Sequence, residues 1–163
     1  MTDIFLEQAV LRNANETGKL LCIWKQSVRA THLFLTENDV AELLPEVKSG
    51  IETIDILVIA KSQTGEPLGF MGVANNKIEM LFISPEYFGR GIGKLLINHA
   101  INELKASLVD VNEQNPQARD FYKHIGFEVY ARSETDDQGR PFPILNMKLA
   151  CSTKENQIHG GKK

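Results

Sequence analysis

Hydrophobic and polar positions divide the chain into a regular series of elements. Ile4 to Val10 is short and mixed, as for an edge strand. Asn13 to Asn15 can cap a helix, and Leu20, Leu21, Trp24 and Val28 then recur at helical spacing. Thr36 lies three residues before Asp39, a capping-box start with the shorter acid. Val40, Leu43 and Leu44 form the apolar face of a second helix, which Pro45 should stop or which should run only briefly past it. Ile54 to Ala60 is continuous and β-branched, predicting a central strand. Thr64-Gly65-Glu66 predicts a hairpin, and Leu68 to Val73 the return strand, with Gly69 and Gly72 leaving space on one face. Asn75-Asn76 makes the next turn into a strand from Lys77 to Ile83.

The second half continues with a glycine-rich loop and a helix from about Ile92 to Leu104. Leu108 to Val111 is a strand, Pro116 to His124 a helix ended by Gly126, and Phe127 to Ala131 and Ile144 to Leu149 are strands. A polar turn at Asp136-Asp137-Gln138-Gly139 joins the last two. This order does not alternate strictly, so a dinucleotide-binding fold is not expected. An α/β (α+β) domain over residues 1–150 is expected, with a central mixed sheet and helices on both faces. Residues 151–163 are polar and read as a disordered tail.

Composition changes this picture little. The 163 residues are 42% apolar and carry a net charge of -3, which argues against a nucleic-acid partner. Cys22 reads as a small buried hydrophobe beside Trp24, and Cys151 starts the tail. No metal-ligand spacing, no disulfide framework, no leader-like segment and no membrane-length apolar run is present, so a cytoplasmic protein without a metal is expected.

The chemistry concentrates in two segments. Phe88-Gly89-Arg90-Gly91-Ile92-Gly93 joins a strand to a helix, and the free N–H groups of a helix N-terminus attract anions. Lys94 is followed by Leu95 where the phosphate loop of nucleotide hydrolases needs Ser or Thr, and the dinucleotide fingerprint is absent. The second segment runs from Asn112 through Asn115, Pro116, Ala118, Phe121 and Tyr122 to Gly126-Phe127. Ala118 and Tyr122 share a helix face. Tyr122 there is either a proton donor or a core tyrosine.

Together these segments resemble the GNAT (GCN5-related N-acetyltransferase) superfamily. Its loop pattern, Gln or Arg followed by x-x-Gly-x-Gly or Ala, falls on Phe88, Gly91 and Gly93. Its N-x-x-A-x-x-x-Y-x-x-x-G-F pattern falls on Asn115, Ala118, Tyr122, Gly126 and Phe127. Within the superfamily, Ile23 to Val28 with Ala30-Thr31-His32, Val111 to Asn115, and Ser133 to Asp137 with Pro141 and Pro143 resemble a small bacterial subgroup. Phe88 departs from the pattern, and Arg90 could supply the missing positive charge.

The resemblance implies a single domain with a mixed, mostly antiparallel sheet of about seven strands and about four helices, splayed between strands 4 and 5. It implies acetyl-CoA as cosubstrate and acetyl transfer to a primary amine. The pyrophosphate would be held by Phe88, Gly89, Arg90, Gly91, Ile92, Gly93 and Lys94. Leu81, Phe82 and Ile83 would line pantetheine, and Asn115, Ala118, Phe121 and Tyr122 would complete the cofactor site. Tyr122 is the implied general acid. Glu79 and His32 are the candidate bases, His32 because an ordinary imidazole titrates near about 6.5. Asp110, Asn112, Glu134 and Asp136 could make the acceptor side acidic, with Trp24, Phe34 and Phe142 as apolar walls. A small-molecule amine is the expected acceptor, a protein the alternative, and the chain a monomer or homodimer. A noncatalytic acyl-CoA-binding regulatory module and a plain interaction domain are the competing classes.

Overall fold

The computed structural model describes residues 3–150. The elements in chain order are β1 (Ile4–Gln8), α1 (Ala14–Thr31), α2 (Glu37–Thr53), β2 (Ile56–Ser62), β3 (Pro67–Ala74), β4 (Lys77–Ile83), α3 (Ile92–Asn102), β5 (Leu108–Asn112), α4 (Pro116–Ile125), β6 (Phe127–Ser133) and β7 (Ile144–Leu149). A 3₁₀ turn, Pro85–Tyr87, lies between β4 and α3. The sheet is mixed and mostly antiparallel, with strand order β1-β2-β3-β4-β5-β7-β6. Two compact units divide at Ala106 and Ser107.

In the first unit, β1 to β4 form an antiparallel meander. Leu20, Trp24, Val28, Val40 and Ile51 of α1 and α2 pack with Leu57, Ile59 and Phe70. Val58 and Ala60 alternate to the opposite sheet face, so β2 is buried on both sides and reads as an unbroken apolar run. α3 packs on β2, β3 and β4 and buries Ile92, Leu96, Ile97 and Ala100. In the second unit, α4 packs on β5 and β6. Val109, Val111, Phe127, Leu145 and Met147 are its buried apolar residues.

Local chemistry fixes the helix starts. Asn13 accepts from the Glu16 N–H at 2.8 Å. Thr36 and Asp39 form the full reciprocal capping box. Asn75 and Asn76 both adopt positive φ, 53° and 67°, which gives the tight β3–β4 turn.

Four expectations need correction. Pro45 does not end α2, which runs on to Thr53. Proline removes one backbone hydrogen bond, but Pro45 faces solvent while Val47 and Ile51 continue the packed face beyond it. Ile54 therefore belongs to the end of α2, where its N–H donates to Gly50, and the strand starts at Ile56. Cys22 is exposed, because Leu20, Ile23, Trp24, Ser27 and Val28 take the inward phase of α1. The tail, with Cys151, lies outside the described residues.

Gly69 and Gly72 do not leave space; they let β4 close onto β3. A Cβ on Gly69 would lie 2.9 Å from the Phe82 carbonyl oxygen and 2.7 Å from Ile83 Cδ1. The carbonyl belongs to a paired strand and cannot swing away. Gly69→Ala is expected to destabilise the fold by about 2 kcal/mol, lowering Tm by roughly 5 °C in thermal denaturation.

Candidate active site

The glycine loop is built so that the start of α3 stays open. The 3₁₀ turn is closed by the Tyr87 N–H on Ser84 O at 2.8 Å and the Phe88 N–H on Pro85 O at 3.2 Å. Gly89 and Gly91 then turn the chain with φ of +78° and +82°, values that an L side chain adopts only with strain. Gly91 is the N-cap of α3 and offers no capping side chain. α1, α2 and α4 are capped by Asn13, Thr36 and Asn115. The first-turn N–H groups of Ile92, Gly93 and Lys94 thus lack the cap partner that those helices have. A Cβ on Gly89 or Gly91 would meet nothing within 4 Å, so the backbone borders open space. This is a cradle with donors, dipole and room for a phosphate. Phe88 is 43% exposed, and the Arg90 guanidinium lies 5.1 Å from the Tyr87 ring centroid.

The strand before the loop carries a β-bulge. Gly72 faces Met80 and Val73 faces Ile78, so Glu79 is the extra residue of the bulge. Glu79 is exposed there. Leu81, Phe82 and Ile83 are half-buried and pair with Met71, Phe70 and Gly69.

His32 follows α1 and its backbone N–H donates to Val28 O at 2.7 Å. Its Nδ1 lies 2.8 Å from Thr31 Oγ1, whose hydroxyl donates to Ser27 O. With that proton committed, Nδ1 carries the ring hydrogen and Nε2 keeps the lone pair. Burial pushes the imidazole down to about 4. The match to neutral pH expected from an ordinary histidine is therefore lost.

In the second unit, Asn115 caps α4 by accepting the Ala118 N–H at 3.3 Å. It is 7% exposed, and its amide nitrogen has no hydrogen-bond partner among the described residues. Tyr122 is 6% exposed and lies edge-on to Phe121 and Phe127, with ring centroids at 5.1 Å and 5.5 Å. Burial pushes its phenol well above the ordinary value. Its hydroxyl has no hydrogen-bond partner among the described residues. A buried hydroxyl left in this way costs free energy unless a ligand completes it. Ala118 and Phe121 are half-buried on the same helix.

Sequence reasoning did not single out Arg132. It grips Glu113 with two bonds of 2.8 Å and Glu134 with one of 2.8 Å. The guanidinium holds the Glu113 carboxyl below the usual range. The Glu113 N–H also donates to Pro143 O at 2.9 Å. β6 and the last hairpin are thereby tied to the turn that ends in Asn115. The carboxylates expected to acidify the acceptor side are largely internal partners. Glu134 serves Arg132, and Asp136 accepts from the Gln138 and Arg140 N–H groups and pairs with the Arg140 guanidinium. Asp110 accepts from Asn146 at 2.8 Å. Trp24 is core rather than a wall. No group of metal-binding side chains occurs among the described residues, and no described helix is long and apolar enough to cross a membrane.

The chain belongs to the GNAT acetyltransferase family: residues 40–151 match the acetyltransferase (GNAT) domain. Its relatives include the peptidyl-lysine N-acetyltransferases YjaB of Salmonella typhimurium and Escherichia coli. The first is 44% identical over 85% of this chain and 95% of its own length. The second is 40% identical over the same shares, 85% and 95%. The solution structure of apo YjaB from Escherichia coli superposes with a TM-score of 0.82 at 37% identity, over 91% of this chain and 98% of that one. The coenzyme A complex of PaiA N-acetyltransferase from Thermoplasma acidophilum shares the fold, with a TM-score of 0.63 at 22% identity over 89% and 99%.

The His32 environment has a pH consequence. Folding favours the neutral ring, so nothing is lost above the unfolded pKa of about 6.5. As pH falls from there toward about 4, the unfolded chain takes up the proton first and the fold loses stability. The ring resonances of His32 should titrate near 4 by NMR, and His32→Gln should lose less stability than wild type across that window in denaturant titrations.

Proposed function

We propose that this chain is an acetyl-CoA-dependent N-acetyltransferase whose acceptor is a lysine side chain of a protein. The observation that carries the reading is the uncapped start of α3, framed by positive-φ glycines that border open space. The lysine acceptor rests on the two YjaB relatives, both named peptidyl-lysine N-acetyltransferases. This prefers a protein acceptor to the small amine that the sequence suggested.

Acetyl-CoA supplies an activated thioester. The first-turn N–H groups of α3, with Gly89 and Gly91, hold its pyrophosphate, and Arg90 and Lys94 add positive charge. The backbone of Leu81 to Ile83 lines the pantetheine arm and one N–H polarises the thioester oxygen. Asn115 offers its unpartnered amide nitrogen to the same arm, with Ala118 and Phe121 as its apolar side.

A lysine ammonium titrates near about 10.4 and must lose a proton before it attacks. Glu79, displayed on its bulge, draws in the cation and takes the proton through water. Burial has removed the advantage of His32 for that step. Tyr122 stays protonated and donates to the departing thiolate; its unpartnered hydroxyl supports that role. The transferase domain is residues 1–150.

Phe88, where the polar side chain of the family pattern is missing, bears on cofactor affinity rather than on transfer; a noncatalytic CoA-binding module is the competing reading. Incubation with acetyl-CoA and lysine-containing proteins, read by mass spectrometry and thiol release, separates the two. Acetyl-lysine should form, and Tyr122→Phe should lower kcat about 100-fold while CoA binding persists. CoA binding with no transfer to proteins or to a panel of small amines would sink the enzyme reading.

A further inference from the structure

We infer that Tyr87 is a positioning residue for the cofactor: its ring holds the Arg90 guanidinium ready for a phosphate of CoA, in place of the polar side chain absent at Phe88. The inference rests on the function proposed above and deepens it.

Arg90 differs from the other arginines. Arg12 is engaged by the carbonyls of Ala9, Ile51 and Asp55. Arg29, Arg119, Arg132 and Arg140 each pair with a carboxylate. Arg90 forms no ion pair among the described residues, and its partner is the face of Tyr87, 5.1 Å from the ring centroid. An aromatic face orients a guanidinium without neutralising it, so the charge and the in-plane donors stay available to an anion.

The support under that ring is firm. Tyr87 ends the 3₁₀ turn that opens at Pro85, and its N–H donates to the buried Ser84. Gly89, at φ +78°, turns the chain between residues 87 and 90. Arg90 then immediately precedes Gly91, the uncapped start of α3. A long side chain free in solvent loses rotamer freedom when it grips a ligand; one already laid over a ring loses less. Phe88, which flanks the pair and is 43% exposed, has no polar group to contribute.

Isothermal titration with CoA tests this through a double-mutant cycle. Arg90→Met should weaken binding about tenfold and flatten its dependence on salt. Tyr87→Leu should weaken it about threefold, the size of an exposed cation–π contact, and flatten the salt dependence in the same sense. Tyr87→Phe keeps the ring face and should bind as wild type. In the Arg90→Met background, Tyr87→Leu should have no further effect. An unchanged Kd for Tyr87→Leu, or the same loss in both backgrounds, overturns the inference. Thermal melts of all variants identify a loss caused by unfolding, and the cycle cancels a common one. If wild type itself fails to bind CoA, the function proposed above falls instead.

Discussion

Four N–H groups at the start of any helix need acceptors, and α3, alone among the described α-helices, brings no side chain of its own to meet that need. Everything around it makes the omission tolerable. Ile92, Leu96, Ile97 and Ala100 bury almost completely, so packing rather than capping holds the helix. β4 is drawn close to β3 at Gly69 and Gly72, which fixes the strand that feeds the loop. The 3₁₀ turn and two positive-φ glycines then bring the backbone round without placing a side chain in the way. An anion is the natural completion of such a helix, and the negative pyrophosphate of CoA meets that description.

The order of elements was legible because each carries its own local signal. Thr36 and Asp39 announce a helix start that forms as written, and Asn75-Asn76 a turn whose positive φ values need those residues. The failures share a cause: tertiary packing overrode a local rule. Pro45 is a helix breaker by its own chemistry, yet Val47 and Ile51 extend the apolar stripe past it. Cys22 has the polarity of a core residue but the wrong phase on α1.

The site was legible in a narrower sense. Glycines and a tyrosine at set spacings pointed to the loop and to α4. The environments did not follow from the letters. Nothing in the sequence shows that His32 is buried enough to fall to about 4, since burial depends on residues remote in the chain. Nor does it show that Glu134 and Asp136 are occupied by arginines. A faint signal did exist for Arg132, which precedes Glu134 by two residues at the end of β6, and for Tyr87, three residues before Arg90 across a glycine. The Glu113–Arg132–Glu134 bridge makes the stretches around Asn115 and Ser133 parts of one clasp.

The bulge at Glu79 acts on β4 as a frameshift acts on a message. Met80 and Phe82 pack toward α1 and α2, opposite Gly72 and Phe70, while Ile78 faces Val73 on the other side of the sheet. Residues 78 and 80 would share a face in a regular strand; the extra residue separates them. The length of this strand is therefore not adjustable by one. Removing a single residue there would exchange inside for outside along the stretch leading to the glycine loop, whereas the turn at Asp136 to Gly139 can lengthen without moving any buried side chain to the wrong face.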